Sequence, residues 1–136
     1  MKDAPARIPI AAKLGLVARV WWGFLDAFVA TKRRPLPQVV ASFRASPVTA
    51  RMRTDPRRLG KIIARLLAVG PFRARCLFTS LVLYRLLREQ GDEPELVIGL
   101  PREPRDKDAH AWVEMDGVDV GPPPGRGLHE ELARFG

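Results

Sequence analysis

The stretch from 74 to 90, ARCLFTSLVLYRLLREQ, constrains the fold more than any other part of the chain. Its periodicity predicts a helix, and apolar residues cover nearly the whole circumference of that helix: Leu77, Phe78, Leu81, Val82, Leu83, Tyr84, Leu86 and Leu87. A helix that is apolar on all sides needs neighbours on all sides. Gly91 suits its end, because glycine accepts the left-handed conformation that helix C-termini use. The rest of the chain is therefore expected to pack around this segment.

Three helices are predicted before the central one, at 8–30, about 36–45 and 54–70. The first has apolar residues at spacings of three or four, which indicate one apolar face: Ile10, Leu14, Val17, Val20 or Trp21, Phe24 and Phe28. Packing in the core is the default interpretation of this face. Docking to a partner protein or to a membrane interface is the other.

The third helix carries start and stop signals of its own. Asp55 can cap it and Pro56 can occupy its first position, where the missing amide hydrogen has no consequence. Gly70 and Pro71 end it. Its buried face is predicted to consist of Leu59, Ile62, Ile63, Leu66 and Leu67.

The hydrophobic period changes from that of a helix to that of a strand in the last third of the chain. PELVIGL (94–100) and AHAWVEM (109–115) are typical of strands. Asp116 and Gly117 form a two-residue hairpin signal that leads into a return strand at 118–120.

The segment GLHEELARF (127–135) predicts a short closing helix. Helices followed by a small antiparallel sheet define the α+β class, here with a helical N-terminal half and a central cysteine-bearing helix packed on the sheet. A length of 136 residues suits a single domain over 1–136, with a helical subregion at 1–70 and the rest of the core at 71–136.

The chain is strongly basic, with a formal net charge of +8. Basic residues are concentrated at 32–34, at 51–61 and at Arg73 and Arg75. A solvated surface explains such a distribution, and so does an acidic peptide partner or an anionic membrane. A nucleic-acid reader would also offer a known module or interleaved aromatic residues, and the sequence has neither, so nucleic acid is not expected as a partner.

Cys76 is the only cysteine, which excludes an internal disulfide and fits the reducing cytoplasm. The N-terminal residues lack the apolar run and cleavage site of a secretory signal. The apolar segment 8–30 is interrupted by Lys13, Arg19 and Asp26, and it is therefore not expected to span a membrane. These features together predict a cytoplasmic protein.

Cys76 is predicted to lie in the first turn of the central helix. Exposed amides and the helix dipole stabilise a thiolate there, and Arg73 and Arg75 act in the same direction, so the pKa of the thiol is expected to fall. A lone cysteine within an apolar helix is otherwise an inert core residue.

His110 begins the HAWVEM strand between two alanines, whose small side chains leave room for another group to approach. A histidine on a strand is more often a surface residue or a satisfied interior one than a general base. However, a thiolate nucleophile needs an imidazole within hydrogen-bond reach, and the two need not be adjacent in sequence. The order of Cys76 on a helix, then a strand, then His110 is that of papain-like and transglutaminase-like sites.

The residues RCLFTSLVLYRLLREQGDEPELVIGLP and DAHAWVEMDG resemble the leader peptidases of lasso-peptide biosynthesis, the microcin-processing group of the transglutaminase-like superfamily. The resemblance is close over about 75–117, while the helical N-terminal part is similar only in length and character. The matching elements are Arg75-Cys76-Leu77, Leu81, Leu86-Leu87, Gly91, Val97-Ile98-Gly99, His110-Ala111-Trp112-Val113-Glu114 and Asp116-Gly117.

The resemblance implies a thiol protease that cuts the leader from a ribosomally made precursor peptide, so that a separate cyclase can close the core peptide. It implies Cys76 as the nucleophile, His110 as the general base, 71–136 as the catalytic core, and neither a cofactor nor a metal. Such enzymes usually act with a small leader-recognition protein, fused or separate. The N-terminal part of this chain leaves no room for that domain, so the partner is expected to be a separate polypeptide.

The expected hairpin register bears on the third catalytic residue. With a two-residue turn, Met115 faces Val118 and Glu114 faces Asp119. Asp119 then lies four residues along the sheet from His110, or roughly 13 Å, which is too far to orient an imidazole unless a bulge shifts the register.

The family resembled here places an aspartate about twelve residues beyond the histidine, and in this chain Pro122 occupies that position. A backbone carbonyl, Glu130 or Glu131 could take the role instead. The third residue is therefore left unassigned.

A different class of function competes with the peptidase. A transglutaminase-like scaffold that has lost catalysis with its aspartate would be a weakly active or inactive module that binds a peptide or a protein. A peripheral membrane or partner contact through 8–30 is a third possibility.

Overall fold

The computed structural model describes residues 10–45, 47–48, 54–67, 76–101, 110–121 and 129–136. Within these ranges the chain forms four helices and one four-stranded sheet, so the predicted α+β class is confirmed. The elements are α1 (Ile10–Arg33), α2 (Leu36–Arg44), α3 (Pro56–Leu67), α4 (Cys76–Glu89), β1 (Glu95–Pro101), β2 (His110–Met115), β3 (Val118–Gly121) and β4 (His129–Phe135).

The apolar helix α4 is central, as its sequence predicts, and it packs against α1, α2, α3, β1 and β2. Its end also follows the prediction. Gly91 has a φ of 93°, its amide donates to the carbonyl of Arg88 at 3.0 Å, and the amide of Asp92 donates to the carbonyl of Leu87 at 2.9 Å. These paired bonds satisfy the last carbonyls of the helix and turn the chain towards β1.

Helix α1 lies along α4 and runs in the opposite direction. Near one end of α4, Arg19 forms an ion pair with Glu89 at 2.8 Å. Near the other end, the rings of Phe28 and Phe78 lie 5.8 Å apart. Contacts at both ends hold α1 against α4 over most of its length.

The face that α1 buries agrees with the predicted one only in part, with Val20 buried and Trp21 and Phe24 packed against the core. The buried residues are Val20, Gly23, Ala27 and Ala30, whereas Leu14 is 66% exposed and Phe28 is 37% exposed. Periodicity could not select the face because α1 is apolar on two sides. Small residues form the buried face and let α1 lie close to α4. A Cβ added at Gly23 would already be in van der Waals contact with Val82, at 3.6 Å.

In length and hydropathy, α1 also meets the requirements for crossing a membrane. The stretch Lys13–Arg33 reaches a mean hydropathy of 1.3, although only 22% of the apolar window is buried in the protein. It is the one helix of this kind in the described ranges, and the core helix of a soluble protein meets the same requirements.

Helix α3 begins as predicted. The amide of Arg58 donates to Oδ2 of Asp55 at 3.2 Å, and Pro56 is the first helical residue. Leu59, Ile63 and Leu67 are buried, whereas Ile62 and Leu66 are half-buried.

The strand order in the sheet is β3-β2-β1-β4, with all neighbours antiparallel. Asp116 and Gly117 have φ values of 53° and 78°, which fits the two-residue turn predicted between β2 and β3. The predicted pairs are also present, with Glu114 opposite Asp119 and Met115 opposite Val118.

The predicted closing helix at 127–135 is wrong. Residues His129–Phe135 form β4, which pairs with β1 from Leu96 opposite Phe135 to Pro101 opposite His129. The local sequence is rich in helix-forming residues, but β1 has a second edge whose backbone groups need partners. Pairing with that edge outweighs the weaker local preference.

Candidate active site

Cys76 is the first residue of α4, so the prediction that it lies in the first turn of the central helix is confirmed. The side chain of Cys76 lies outside the described part of the structure, as do Arg73 and Arg75.

His110 is the first residue of β2 and is 9% exposed. It shares a face of the sheet with Trp112, which is fully buried, and with Glu114, which is 2% exposed. The imidazole and the indole of Trp112 are stacked, with centroids 6.2 Å apart and planes 27° from parallel. The ring of His110 is thus held by a buried neighbour and is not a mobile surface group.

The connectivity brings the start of α4 towards the start of β2. Only residues 90–94 separate α4 from β1, so β1 begins where α4 ends and runs back along the layer against which α4 packs. In β1, Gly99 pairs with His110. A 14-residue helix is about 21 Å long and a seven-residue strand is of similar length. We therefore expect Cys76 and His110 to lie at the same end of the helix and sheet layers.

The sheet face imposes a condition on their contact. Val113 and Leu96 belong to the core that α4 builds, and they alternate with residues of the opposite face. His110 projects from that opposite face. A contact between the thiol and the imidazole therefore requires the first turn of α4 to reach past the end of β2, where His110 lies.

A charged network fixes the side chains beside His110. The indole nitrogen of Trp112 donates to Oε2 of Glu114 at 2.8 Å, and Arg134 of β4 donates to Oε1 at 3.2 Å. Arg134 also pairs with Glu131 at 2.6 Å and with Glu95 at 3.3 Å. The hydrogen bond to Glu131, together with that to Glu114, raises the pKa of Arg134 above its ordinary value despite the opposing effect of desolvation. The buried carboxylate is therefore paired, and it holds the indole against the imidazole.

The sequence points to His110, Trp112 and Glu114 through their alternation but gives no indication of Arg134. Arg134 lies in the segment predicted as a helix, and only the pairing of β4 with β1 brings it to Glu114. The sequence features that could have indicated Arg134 are an arginine near the C-terminus and a glutamate on a strand face predicted to be buried, since a buried carboxylate needs a cation as partner.

Asp119 has the place in the sheet that the two-residue turn predicts. It stays opposite Glu114, and its Oδ1 accepts a hydrogen bond from the amide of Gly121 at 2.8 Å. β3 also contains a bulge, which makes Val113 pair with Gly121. The extra residue comes after Asp119 in the strand and therefore does not bring Asp119 closer to His110. Asp119 therefore remains roughly four residue lengths, about 13 Å, from His110 along the sheet.

Two carboxylates of β4, Glu130 and Glu131, are the other candidates for the third position. Glu131 pairs with Gly99, the same residue that pairs with His110 on its other side, so Glu131 is at the level of His110 but two strands away. Glu130 pairs with Leu100 and is exposed. Pro122 lies outside the described residues.

A groove lies between α1 and α3, with a volume of about 430 Å³. Its floor is apolar, formed by Leu16, Val17, Ile62 and Leu66, and its rim is cationic, formed by Lys13, Arg58, Lys61 and Arg65. All four cations are exposed, and none forms an ion pair within the described ranges. The groove can therefore accept a ligand that is both apolar and acidic.

No group of three metal-binding side chains occurs among the residues that the structure describes. In comparisons with known proteins, the profile of the transglutaminase-like superfamily matches residues 21–132. The match includes α4 with Cys76 and β2 with His110. No curated protein and no solved structure matched the chain.

The match covers most of the chain, and the architecture agrees with it. The chain therefore belongs to the transglutaminase-like superfamily, a group that includes cysteine peptidases.

Proposed function

We propose that this protein is a cysteine peptidase that removes the leader from a ribosomally synthesised lasso-peptide precursor, with Cys76 as nucleophile and His110 as general base. One observation carries the proposal: in a transglutaminase-like chain, the only cysteine is the first residue of the central helix. A thiol at that position benefits from the unpaired amides and the dipole of the helix. The lasso-peptide assignment rests on the motif resemblance alone.

The chemistry follows from these two groups. His110 accepts the proton of the Cys76 thiol, and the resulting thiolate attacks the scissile carbonyl to form a tetrahedral intermediate. His110 donates a proton to the leaving amine, which departs and leaves an acyl-enzyme. A water molecule, deprotonated by His110, then attacks the thioester and releases the carboxylate product with the free thiol. No cofactor or metal takes part in this scheme.

The groove between α1 and α3 supplies a surface for the peptide. Its cationic rim and apolar floor suit a leader segment, or a carrier protein, that alternates acidic and apolar residues. In this proposal a separate leader-recognition protein delivers the precursor in the cytoplasm, and a cyclase acts after cleavage.

The first experiment is a cleavage assay with the cognate precursor and its recognition protein. We expect Cys76→Ala and His110→Ala each to reduce the cleavage rate by at least about a thousandfold, because both act directly on the reacting atoms. Arg57→Ala, an exposed change on α3 outside the groove, is the control and should leave the rate unchanged. Undiminished cleavage by either active-site variant would end the proposal.

The second experiment measures the thiol itself. Because Cys76 is the only cysteine, alkylation by iodoacetamide reports on it alone. An activated thiol should react well below pH 8.5, the ordinary pKa of cysteine, and His110→Ala should move the midpoint upward. A midpoint at the ordinary value in both proteins would argue against the pairing of thiol and imidazole.

A binding module without catalysis is the second candidate function. The observation that favours it is the chain's proline, Pro122, at the position where the resembled family has an aspartate. In that case Cys76 is alkylated only near its ordinary pKa and the assay shows no cleavage, while the precursor still binds. Peptide binding that survives Cys76→Ala together with absent cleavage by the unmodified protein would identify this function.

A further inference from the structure

Helix α1 carries a second apolar face that nothing in the described structure covers. Its residues follow one another at spacings of four, four, three and four, which puts them on one side of the helix: Leu14, Ala18, Trp22, Leu25 and Val29. All are exposed, with Trp22 at 65% and Leu25 at 54%. We call this set the outward stripe. It extends over roughly 22 Å of helix.

The two charges in the middle of α1 are turned away from the outward stripe. Arg19 pairs with Glu89 at 2.8 Å, and Asp26 pairs with Arg85. Both partners belong to α4. The outward stripe is therefore free of charged side chains between its ends, even though the sequence of α1 is interrupted by charges.

The ends of the outward stripe are basic. Lys13 precedes it, and Lys32, Arg33 and Arg34 follow it, all exposed. Lys32 lies over the ring of Phe28, 4.3 Å from its centroid, so part of this charge is held next to the apolar surface. The only acidic residue of the described α1 is Asp26, which is already paired.

These features favour one occupant over the others. Two copies of the chain that joined their outward stripes would bring basic ends against basic ends in a parallel and in an antiparallel arrangement alike. A helix that crossed a bilayer would have to leave α4 and break the ion pairs of Arg19 and Asp26. An anionic lipid surface instead matches the apolar side and both basic ends, and tryptophan is the residue preferred at that interface.

We propose that the outward stripe of α1 docks the protein on an anionic membrane surface. The helix lies parallel to the bilayer plane, the outward stripe enters the boundary between headgroups and acyl chains, and the cations at its ends contact lipid phosphates. The opposite face of α1 stays packed on α4. The contact uses neither Cys76 nor His110, so it stands or falls independently of the peptidase function.

The test is vesicle co-sedimentation of the full chain. We expect binding to vesicles of phosphatidylglycerol and phosphatidylcholine, weaker binding in high salt, and little binding to phosphatidylcholine alone. Trp22→Glu with Leu25→Glu should reduce the partition coefficient by about tenfold or more. The matched control is Leu132→Glu on β4, since Leu132 is an equally exposed leucine at 62% and lies outside α1. All variants should keep the thermal unfolding of the unmodified protein.

A second measurement does not depend on a charged substitution. Brominated lipid should quench the fluorescence of the unmodified protein, and Trp22→Phe should lose most of that quenching, although Trp21 and Trp112 remain. A double change of Arg33 and Arg34 to glutamate should weaken binding to anionic vesicles and leave the residual binding to neutral vesicles unaltered.

Several results would overturn the proposal. These are absence of binding to anionic vesicles, binding that Trp22→Glu with Leu25→Glu leaves intact, and equal binding to neutral vesicles. A dimer in light scattering that the same double change dissolves would assign the outward stripe to a second copy. Resistance to alkaline carbonate extraction would indicate a spanning helix instead of a surface contact.

Discussion

The indole nitrogen of Trp112 donates a hydrogen bond of 2.8 Å to Glu114, two residues further along the same strand. The bond runs along the sheet face that also carries His110, and the ring of Trp112 stacks on the imidazole. Arg134 neutralises the glutamate from β4. The three charged and aromatic groups thus form one support for the imidazole, and Glu114 is its centre.

Glu114→Gln should destabilise the protein by about 1–3 kcal/mol. The amide can still accept a hydrogen bond from the indole, but its NH2 group then faces the guanidinium of Arg134, so the bond to Arg134 is lost. The matched control is Glu131→Gln, which removes a charge from the same arginine at a residue that is 39% exposed in its side chain. It should cost less than about 1 kcal/mol. Chemical denaturation measures both, and equal losses would contradict a central role for Glu114.

Two glycines in helices should respond to alanine with opposite signs. A Cβ at Gly60 would clash with the backbone carbonyl of Val120, so Gly60→Ala must separate α3 from β3 and should cost about 1–3 kcal/mol. A Cβ at Gly15 meets nothing within 4 Å, and Gly15→Ala should stabilise α1 by up to about 1 kcal/mol. The measurement is the free energy of unfolding of each variant relative to the unmodified protein. A neutral Gly60→Ala would show that α3 and β3 are not in close contact.

Tyr84→Phe should leave the protein equally stable or stabilise it at neutral pH. Tyr84 is fully buried in α4, and its hydroxyl has no hydrogen-bond partner in the described structure. Removing an unpaired buried hydroxyl can contribute up to about 1 kcal/mol to stability. Thermal unfolding is the measurement, and a clear loss of stability would reveal a partner for the hydroxyl.

The same hydroxyl should weaken the protein at high pH. Burial raises the pKa of Tyr84 above its ordinary value of 10.0, against the opposing charges of Arg88 and Arg44. Above about pH 10 the unfolded chain loses the phenolic proton while the folded chain keeps it, so stability falls as pH rises. Because Tyr84 is the only tyrosine, its ionisation can be followed by ultraviolet absorbance. Tyr84→Phe should flatten the alkaline decline, whereas Ser80→Ala, which removes another unpartnered buried hydroxyl, should not.

Charge reversal in the groove should weaken substrate binding without affecting the chemical step. If the groove binds an acidic leader, Lys61→Glu with Arg65→Glu should raise KM by about tenfold or more and leave kcat nearly unchanged, because these cations are remote from the reacting atoms. Arg57→Glu, on the same helix but outside the groove, is the control. A fall in kcat with an unchanged KM would contradict peptide binding at this surface.

Much of the fold could be predicted because its signals are local and agree with one another. The circumference of α4, the cap at Asp55, the stop at Gly91 and the turn at Asp116 and Gly117 each depend on a few neighbouring residues. The register that puts Glu114 opposite Asp119 follows directly from that turn.

The errors arose where distant contacts decide. The segment at 129–135 has a local preference for helix, and only the open edge of β1 makes it a strand. The buried face of α1 depends on which side of it α4 contacts, and a helix that is apolar on two sides contains no local indication of this. The candidate site shows the same division: His110 and its alternation with Glu114 were visible in the sequence, whereas Arg134 was not.

The pairing of β4 with β1 also protects the protein against self-association, because it covers one edge of β1. Without β4, one edge of β1 would have unpaired amides and carbonyls, and the strand itself, ELVIGL, is rich in β-branched and aliphatic residues. Such an edge is a template for other extended chains. Shortening or unfolding β4 would therefore do more than remove Arg134 from Glu114. It would expose the paired edge of β1 and so favour aggregation through that strand.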